Sequence, residues 1–343
     1  MITLGKVVPR TFWSGLALVA ASSLVTMPAH SKTVFNAAFY QPAGNPIVEL
    51  ARDALNNIEK ETEGRVSFKV FPSSTLVPTK EMGTAVDEGT AFMAIWYMPY
   101  MSKTIPLFNI ETVPVWTAGT CEAIVNTYEN GLNDLYSKAL ERQKMPNIRV
   151  AGVSMCLPRV LGMTNKQVKV PDDVKGMRIR SVAAEAEMFS SIGANPVNMT
   201  NDQVYEALSR GIVDGMTNAF NVMDERRDLE MIKYVTNTDL TWVLMHVIYN
   251  QKMLEKLDSK DRGIVEAGMK KVAEHVRNGL QARSDKSVAE APGKYKVTVY
   301  QPNEAERKLW LHAADKTRLE FEAQADKDPL IKEGLSYVHK YNP

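Results

Sequence analysis

Residues 164–181, TNKQVKVPDDVKGMRIRS, and residues 192–220, IGANPVNMTNDQVYEALSRGIVDGMTNAF, carry the strongest structural signal in the chain. The first segment ends in a short strand pattern over 177–180. The second contains a helix pattern over 201–210, and Gly211 marks the end of that helix. Strand and helix therefore alternate here, which is typical of an α/β protein.

The same alternation continues on both sides of these segments. Strand patterns are predicted over 33–39, 66–71, 91–96, 149–155, 243–250 and 296–300. Helices are predicted over 46–64, 79–88, 121–144 and 259–286, with another that begins at Asn303. A folded part of roughly 310 residues favours two α/β lobes over one. Because no Pro/Ser-rich linker separates the lobes, we expect strands to cross between them and a ligand to bind in the cleft.

The N-terminus has the three parts of a secretory signal peptide. Lys6 and Arg10 precede the mostly apolar stretch 12–27, and the small-residue segment 28–31 follows. We expect cleavage after Ser31, which predicts a periplasmic protein; the alternative is a retained N-terminal anchor. Residues 32–343 then carry 39 basic and 40 acidic side chains, because the segment removed holds two basic residues and no acidic one.

The composition excludes several classes of protein. The chain is 45% hydrophobic and 24% charged, with 41 basic and 40 acidic side chains, so neither disorder nor general attraction to nucleic acid is expected. Cys121 and Cys156 are the only cysteines, which excludes a Cys-rich metal site. The two thiols either form one disulfide in an oxidising compartment or remain buried and unreactive, and the sequence leaves both open.

Common catalytic motifs are absent from the sequence. It contains no GxSxG, HExxH, GxxxxGK[ST], GxGxxG or CxxC. His246 lies within an apolar strand pattern, where a hydrogen-bonded core histidine is expected. We therefore predict a protein that is not an enzyme and has no cofactor, no metal and no catalytic residue.

The segments quoted above resemble the solute-binding proteins of TRAP transporters, the DctP-like family. The matching pieces are PxDxKGMRIR at 171–180, GANPV at 193–197, VYxAL at 204–208, GIVDG at 211–215, and Asn218. The resemblance covers nearly all of the chain after residue 31, and it is weaker outside this block. It implies a two-lobed periplasmic-binding-protein-like clamshell of the α/β class, with mixed and parallel sheets and a long helix that spans both lobes.

Arg180 is the main candidate for ligand binding. It ends a predicted strand, and a guanidinium presents paired N–H donors that match both oxygens of a carboxylate. The resemblance implies that Arg180 anchors the carboxylate and that Asn218 is a polar contact. Arg178 shares a strand face with Arg180, so the flanking residues decide which of the two is buried.

The sequence departs from the family pattern at two places beside the expected ligand. The family usually carries another cleft arginine four or five residues before the Thr164-Asn165 pair. Arg159 lies six residues before Asn165, in a shifted register and directly after Pro158, so it is a candidate contact. The segment from Arg180 to Gly193 is about two residues shorter than usual for the family. The ligand therefore need not be a simple C4-dicarboxylate.

Aromatic residues near strand ends are further candidates for the pocket, since strand ends face the cleft in this architecture. We select Tyr97, Tyr40 and Trp242, with Tyr100 and Gln41 as neighbours of these positions. Trp116 is instead expected to pack in the core.

Together these observations predict an extracytoplasmic solute-binding protein that captures an organic acid and delivers it to the membrane permease of a TRAP-type transporter. Its lobes are placed at 32–157 plus 243–282 and at 158–242 plus 283–343, and a monomer is expected. Two alternatives remain: an exported α/β enzyme that acts on an organic acid, and a periplasmic sensor that presents a carboxylate to a membrane receptor.

Overall fold

The computed structural model describes residues 1–3, 5, 32–116, 120–238 and 240–341. The signal peptide predicted for residues 1–31 lies outside the described residues, apart from positions 1–3 and 5. No helix in these ranges is both long enough and apolar enough to cross a membrane. The unit that begins at Lys32 contains all the elements below.

Ten strands occur within the described ranges, and pairing connects all of them. They are β1 (Thr33–Ala38), β2 (Val66–Phe71), β3 (Met93–Trp96), β4 (Ile148–Met163), β5 (Arg178–Arg180), β6 (Asn195–Val197), β7 (Gly215–Ala219), β8 (Tyr234–Thr236), β9 (Trp242–Asn250) and β10 (Thr298–Tyr300). Their order is β2-β1-β3-β9-β4-β7-β5-β6, and β8 pairs with β4 and β10. The sheets are mixed: β4 and β9 run antiparallel to their neighbours, and the other pairs are parallel.

Strand β4 connects the two halves of the sheet. One half contains β1, β2, β3 and β9, and the other contains β5, β6 and β7. Its residues up to Pro158 pair with β9, and those from Arg159 onward pair with β7. The sequence predicted a strand over 149–155 only, so β4 is much longer than expected. Pro158 lies where β4 leaves β9 and joins β7, a position where a missing N–H donor is tolerated.

Eleven α-helices lie within the described ranges. They are α1 (Pro46–Glu61), α2 (Met82–Glu88), α3 (Cys121–Thr127), α4 (Asn133–Arg142), α5 (Ala183–Ser191), α6 (Val204–Ser209), α7 (Phe220–Glu225), α8 (Gln251–Leu254), α9 (Ser259–Tyr295), α10 (Glu304–Gln324) and α11 (Pro329–Tyr341). The predicted single helix over 121–144 is wrong. A π-helical turn, Tyr128–Leu132, separates α3 from α4, because Gly131 adopts φ 139°, which no helix interior allows.

Within the part of the chain that the structure describes, the buried apolar side chains form three clusters. The first lies around β1, β3, β9 and α1, and α11 packs against it through Ile331 and Val338. The second and third lie around β5 and β7, with Met216 in one and Ile179 in the other. Helix α9 contributes Val265 to the first cluster and Ala291 to the second, so it spans both halves. It is longer than the predicted 259–286.

Candidate ligand-binding site

A cavity lies where the first cluster meets the β5–β7 half. It is lined by the loop after β1, the segment after β3, the middle of β4, the end of β5 and the end of β7. The lining residues are Tyr40, Gln41, Asn45, Ile47, Tyr97, Tyr100, Met155, Arg159, Arg180, Val182, Asn201, Asn218, Val222, Glu225, Arg226, Val243 and Met245.

Arg180 reaches this cavity from the end of β5 and is only 2% exposed. Its Nε and Nη2 donate to the Met199 carbonyl at 3.1 and 2.8 Å, and its Nη1 donates to the Thr217 carbonyl at 3.3 Å. Two of its five N–H donors remain for a ligand. Among the described residues, no carboxylate forms an ion pair with Arg180. Burial, with a contribution from nearby Arg159, lowers its pKa below the usual value. An anion at this position would compensate the buried charge.

Arg178 provides a natural comparison, since it shares a strand with Arg180. Its side chain is exposed and forms an ion pair with Asp214, with Nη2 and Oδ1 2.6 Å apart. The structure therefore answers which of the two arginines is buried at the cleft.

Arg159 also lines the cavity, but its charge is already compensated. Its Nη2 donates to the Tyr97 hydroxyl at 3.0 Å, and its Nη1 lies 3.5 Å from the Glu185 carboxylate. Glu185 also accepts hydrogen bonds from the hydroxyls of Thr217, at 2.5 Å, and Thr241, at 3.3 Å. The Nε of Arg159 is buried without a partner within the described ranges. With Glu185 paired to Arg159, the charge of Arg180 is left for a ligand.

Asn218 lies at the end of β7 and is 1% exposed. Its Oδ1 accepts from the Ala219 N–H at 2.9 Å, and its Nδ2 donates to the Asn201 side chain at 3.0 Å. The Tyr100 hydroxyl accepts from the Asn201 N–H at 3.4 Å. The amide group is therefore held in place at the cavity wall, close to a residue of the other half.

Of the three aromatic residues selected from the sequence, two line the cavity and one does not. Tyr97 and Tyr40 line the cavity, and burial raises the pKa of both hydroxyls, so they remain protonated donors. The rings of Tyr97 and Tyr100 meet edge to face with centroids 5.0 Å apart. Trp242 is not among the lining residues; it begins β9 opposite Pro158 and packs against the first cluster.

Several lining residues were not selected from the sequence. Glu225 ends α7 and is followed by Arg226, whose buried Nε has no partner among the described residues. Burial raises the pKa of Glu225 to about 7, although hydrogen bonds from Asn221 and Asn45 oppose this. Glu225 and Arg226 both belong to the charged segment 224–228, and such a segment is typical of a solvent-exposed surface. Their position directly after the strand that carries Asn218 is the signal that could have identified them.

Two other sequence expectations concern the core. Trp116 is buried, and its Nε1 donates to the Ile110 carbonyl at 2.7 Å, as expected for a packing residue. His246 is fully buried with its Nε2 2.8 Å from Glu111, which confirms the prediction of a hydrogen-bonded core histidine. Neither residue lines the cavity.

Comparison with known proteins agrees with this architecture. Residues 37–324 match the family model described as bacterial extracellular solute-binding protein, family 7. The 2,3-diketo-L-gulonate-binding periplasmic protein of Escherichia coli K12 is 25% identical over 249 residues, which are 72% of this chain and 73% of that protein.

Two solved structures show the same fold. A TRAP periplasmic solute-binding protein from Anaerococcus prevotii with bound D-glucuronate has a TM-score of 0.80 at 20% identity, covering 91% of this chain and 98% of that one. A Bordetella pertussis extracytoplasmic solute receptor that binds pyroglutamic acid has a TM-score of 0.78 at 20% identity, covering 89% and 99%. The predicted α/β clamshell is thus confirmed, and the chain belongs to bacterial extracellular solute-binding protein family 7, the DctP family.

Proposed function

We propose that this protein is the receptor of a TRAP-type transporter and that it binds an organic acid between its lobes through Arg180. The observation that carries the proposal is a guanidinium that is 2% exposed, lines the cavity and has no acidic partner within the described ranges. A buried cation of this kind is stabilised by a carboxylate, because the bidentate pair replaces the lost hydration.

Asn218, Arg159, Tyr97 and Tyr40 complete the polar wall around this carboxylate. Arg159 and the two tyrosines offer neutral or charge-compensated donors, so they orient the anion without adding a large excess of charge. We keep Trp242 outside the site, because it does not line the cavity.

Ligand binding is proposed to close the two lobes by a hinge movement. Lobe I comprises 32–157 plus 243–282, and lobe II comprises 158–242 plus 283–343, except that α11 is better grouped with lobe I because it packs on the first cluster. β4 and β9 form the hinge, since β4 passes between the halves next to β9. Closure is favoured by a ligand that contacts both lobes only in the closed form.

The cellular role follows from the family and from the N-terminal sequence. We propose export to the periplasm by the cleavable segment 1–31, followed by delivery of the loaded, monomeric receptor to membrane permease subunits. The protein would perform no chemistry on the acid.

The experiment is thermal unfolding of the purified protein, expressed from the full sequence, with organic acids and matched neutral compounds. D-glucuronate and D-glucose form one such pair. A ligand at 100 times its dissociation constant stabilises the folded state by about 2.7 kcal/mol, which is readily measured. We expect at least one acid to raise the unfolding temperature and its neutral counterpart to leave it unchanged. Stabilisation by neutral compounds alone would contradict the proposal.

A further inference from the structure

Two side chains that line the cavity have hydrogen-bond acceptor positions that no donor among the described residues occupies. The Gln41 side chain is 4% exposed, and its Oε1 has no hydrogen-bond partner among the described residues. Among the described residues, the amide nitrogen of Gln41 donates only to the Met245 sulfur, at 3.8 Å, and a thioether sulfur is a weak acceptor. A buried acceptor without a partner is costly, so a donor is expected at this position.

Glu225 is the second acceptor. Its Oε1 accepts from Asn221 Nδ2 at 3.2 Å, and its Oε2 accepts from Asn45 Nδ2 at 3.3 Å. A carboxylate has about four acceptor positions, so two remain after these bonds. No arginine or lysine forms an ion pair with Glu225 within the described residues, although the side chain lines a cavity that contains three arginines.

The loop after β1 connects these two acceptors, which both line the cavity. Gln41 and Asn45 belong to this loop, and Asn45 also caps α1, where its Oδ1 accepts from the Ile47 N–H at 2.9 Å. The capping bond fixes the Asn45 side chain, and the other end of its amide group holds Glu225. The cavity thus presents unused donors from Arg180 and Arg159 and unused acceptors from Gln41 and Glu225.

We propose that Glu225 and Gln41 form a specificity subsite for a hydrogen-bond donor on the ligand, either a hydroxyl or an ammonium group. This inference rests on the proposed function, because the carboxylate of the same ligand would occupy Arg180. The ligand class is therefore a hydroxylated or amino-substituted carboxylate, and a plain alkyl carboxylate of similar size is selected against.

The test compares matched acids by isothermal titration at pH 8, where Glu225 is mostly ionised. The first set is D-glucuronate, cis-4-aminocyclohexanecarboxylate and cyclohexanecarboxylate, and the second is L-lactate, L-alanine and propionate. Any other acid that stabilises the protein in the thermal experiment is compared with its own analogue without the donor. The variants are Glu225→Gln and Gln41→Leu. Glu206→Gln is the control, since it removes the same charge from an exposed side chain paired with Arg210.

We expect the wild type to bind a donor-bearing acid at least about tenfold more tightly than its matched analogue. Glu225→Gln should reduce this preference to less than about threefold, and the reduction should be larger for an ammonium than for a hydroxyl ligand because a charge pair is lost. Gln41→Leu should also reduce it, which keeps the test informative if the other variant fails to fold. The control should retain the wild-type preference.

Failure of the subsite and failure of the proposed function give different results. Equal affinity for the matched acids in the wild type, or a preference that both variants retain, would overturn the subsite while the carboxylate receptor stands. If no acid binds at all, the proposed function fails and the subsite fails with it.

Discussion

Asp228 provides a test of how far burial in this protein raises the pKa of a carboxyl group. The side chain is fully buried, and neither carboxylate oxygen has a hydrogen-bond partner among the described residues. Burial raises its pKa from 3.8 to about 7, although Arg226 and Arg180 act in the opposite direction. We predict that Asp228→Asn makes the protein more stable than the wild type at alkaline pH, because the variant has no charge to bury.

The size of the effect follows from linkage between proton binding and folding. A raised carboxyl pKa means that the folded state holds a proton that the unfolded state releases, so wild-type stability falls as pH rises from about 3.8 to about 7. With these two values, the free-energy difference between Asp228→Asn and wild type should increase by about 3 kcal/mol from pH 5 to pH 8. This free-energy difference corresponds to a shift in the unfolding temperature of roughly 5 °C.

The assay is urea unfolding of both proteins at pH 5 and pH 8, since other titrating groups cancel in the difference. Asp172→Asn is the matched control, because it removes the same charge from a side chain that is 81% exposed. A difference between Asp228→Asn and wild type that stays constant within about 0.5 kcal/mol would contradict a raised pKa at Asp228. It would mean that Asp228 is ionised in the folded protein at both pH values.

Two further predictions concern packing around the site. Glu185→Gln should lower the free energy of unfolding, measured in urea, by about 3 kcal/mol, because it leaves the buried Arg159 guanidinium without its carboxylate. A loss below about 1 kcal/mol would show that this ion pair is not needed for stability. Gly215→Ala should cost about 1–3 kcal/mol, because its Cβ would meet the Met163 sulfur, whereas Gly263→Ala in open space on α9 should gain about 0.5–1 kcal/mol. Thermal unfolding of the two alanine variants checks this order, and the reverse order would contradict it.

The general architecture could be predicted from the sequence because apolar periodicity reports directly on buried strands and helices. Two predicted elements have the wrong boundaries, and in both the boundary depends on a feature that the local sequence pattern does not show. Gly131 breaks the predicted helix over 121–144 through a positive φ, and the local pattern around it remains helical. Strand β4 continues through Pro158 because its partner changes there, which depends on β7 and β9 and not on the local sequence.

The site could be predicted only in part for a similar reason. Arg180 ends β5 and Asn218 is the penultimate residue of β7, and the position of a strand end is visible in the sequence. Glu225 lies in a charged segment that resembles a solvated surface, and its partly buried side chain is held by Asn45, which is 180 residues away in the sequence. Trp242 begins β9, in which Val243 and Met245 line the cavity. Side chains alternate between the two faces of a strand, so Trp242 lies on the face away from the cavity.

The role of Arg180 as the carboxylate anchor is tested by the affinities of the wild type, Arg180→Ala and Arg178→Ala for the organic acid that stabilises the protein best. Isothermal titration follows a check by circular dichroism that both variants are folded. We predict that Arg180→Ala weakens binding at least about 100-fold, because the buried anchor of the carboxylate is removed. Arg178→Ala should bind within about threefold of wild type, since it loses only an exposed ion pair. If Arg180→Ala binds the acid as tightly as Arg178→Ala does, the carboxylate is not held by Arg180 and the proposed binding mode is wrong.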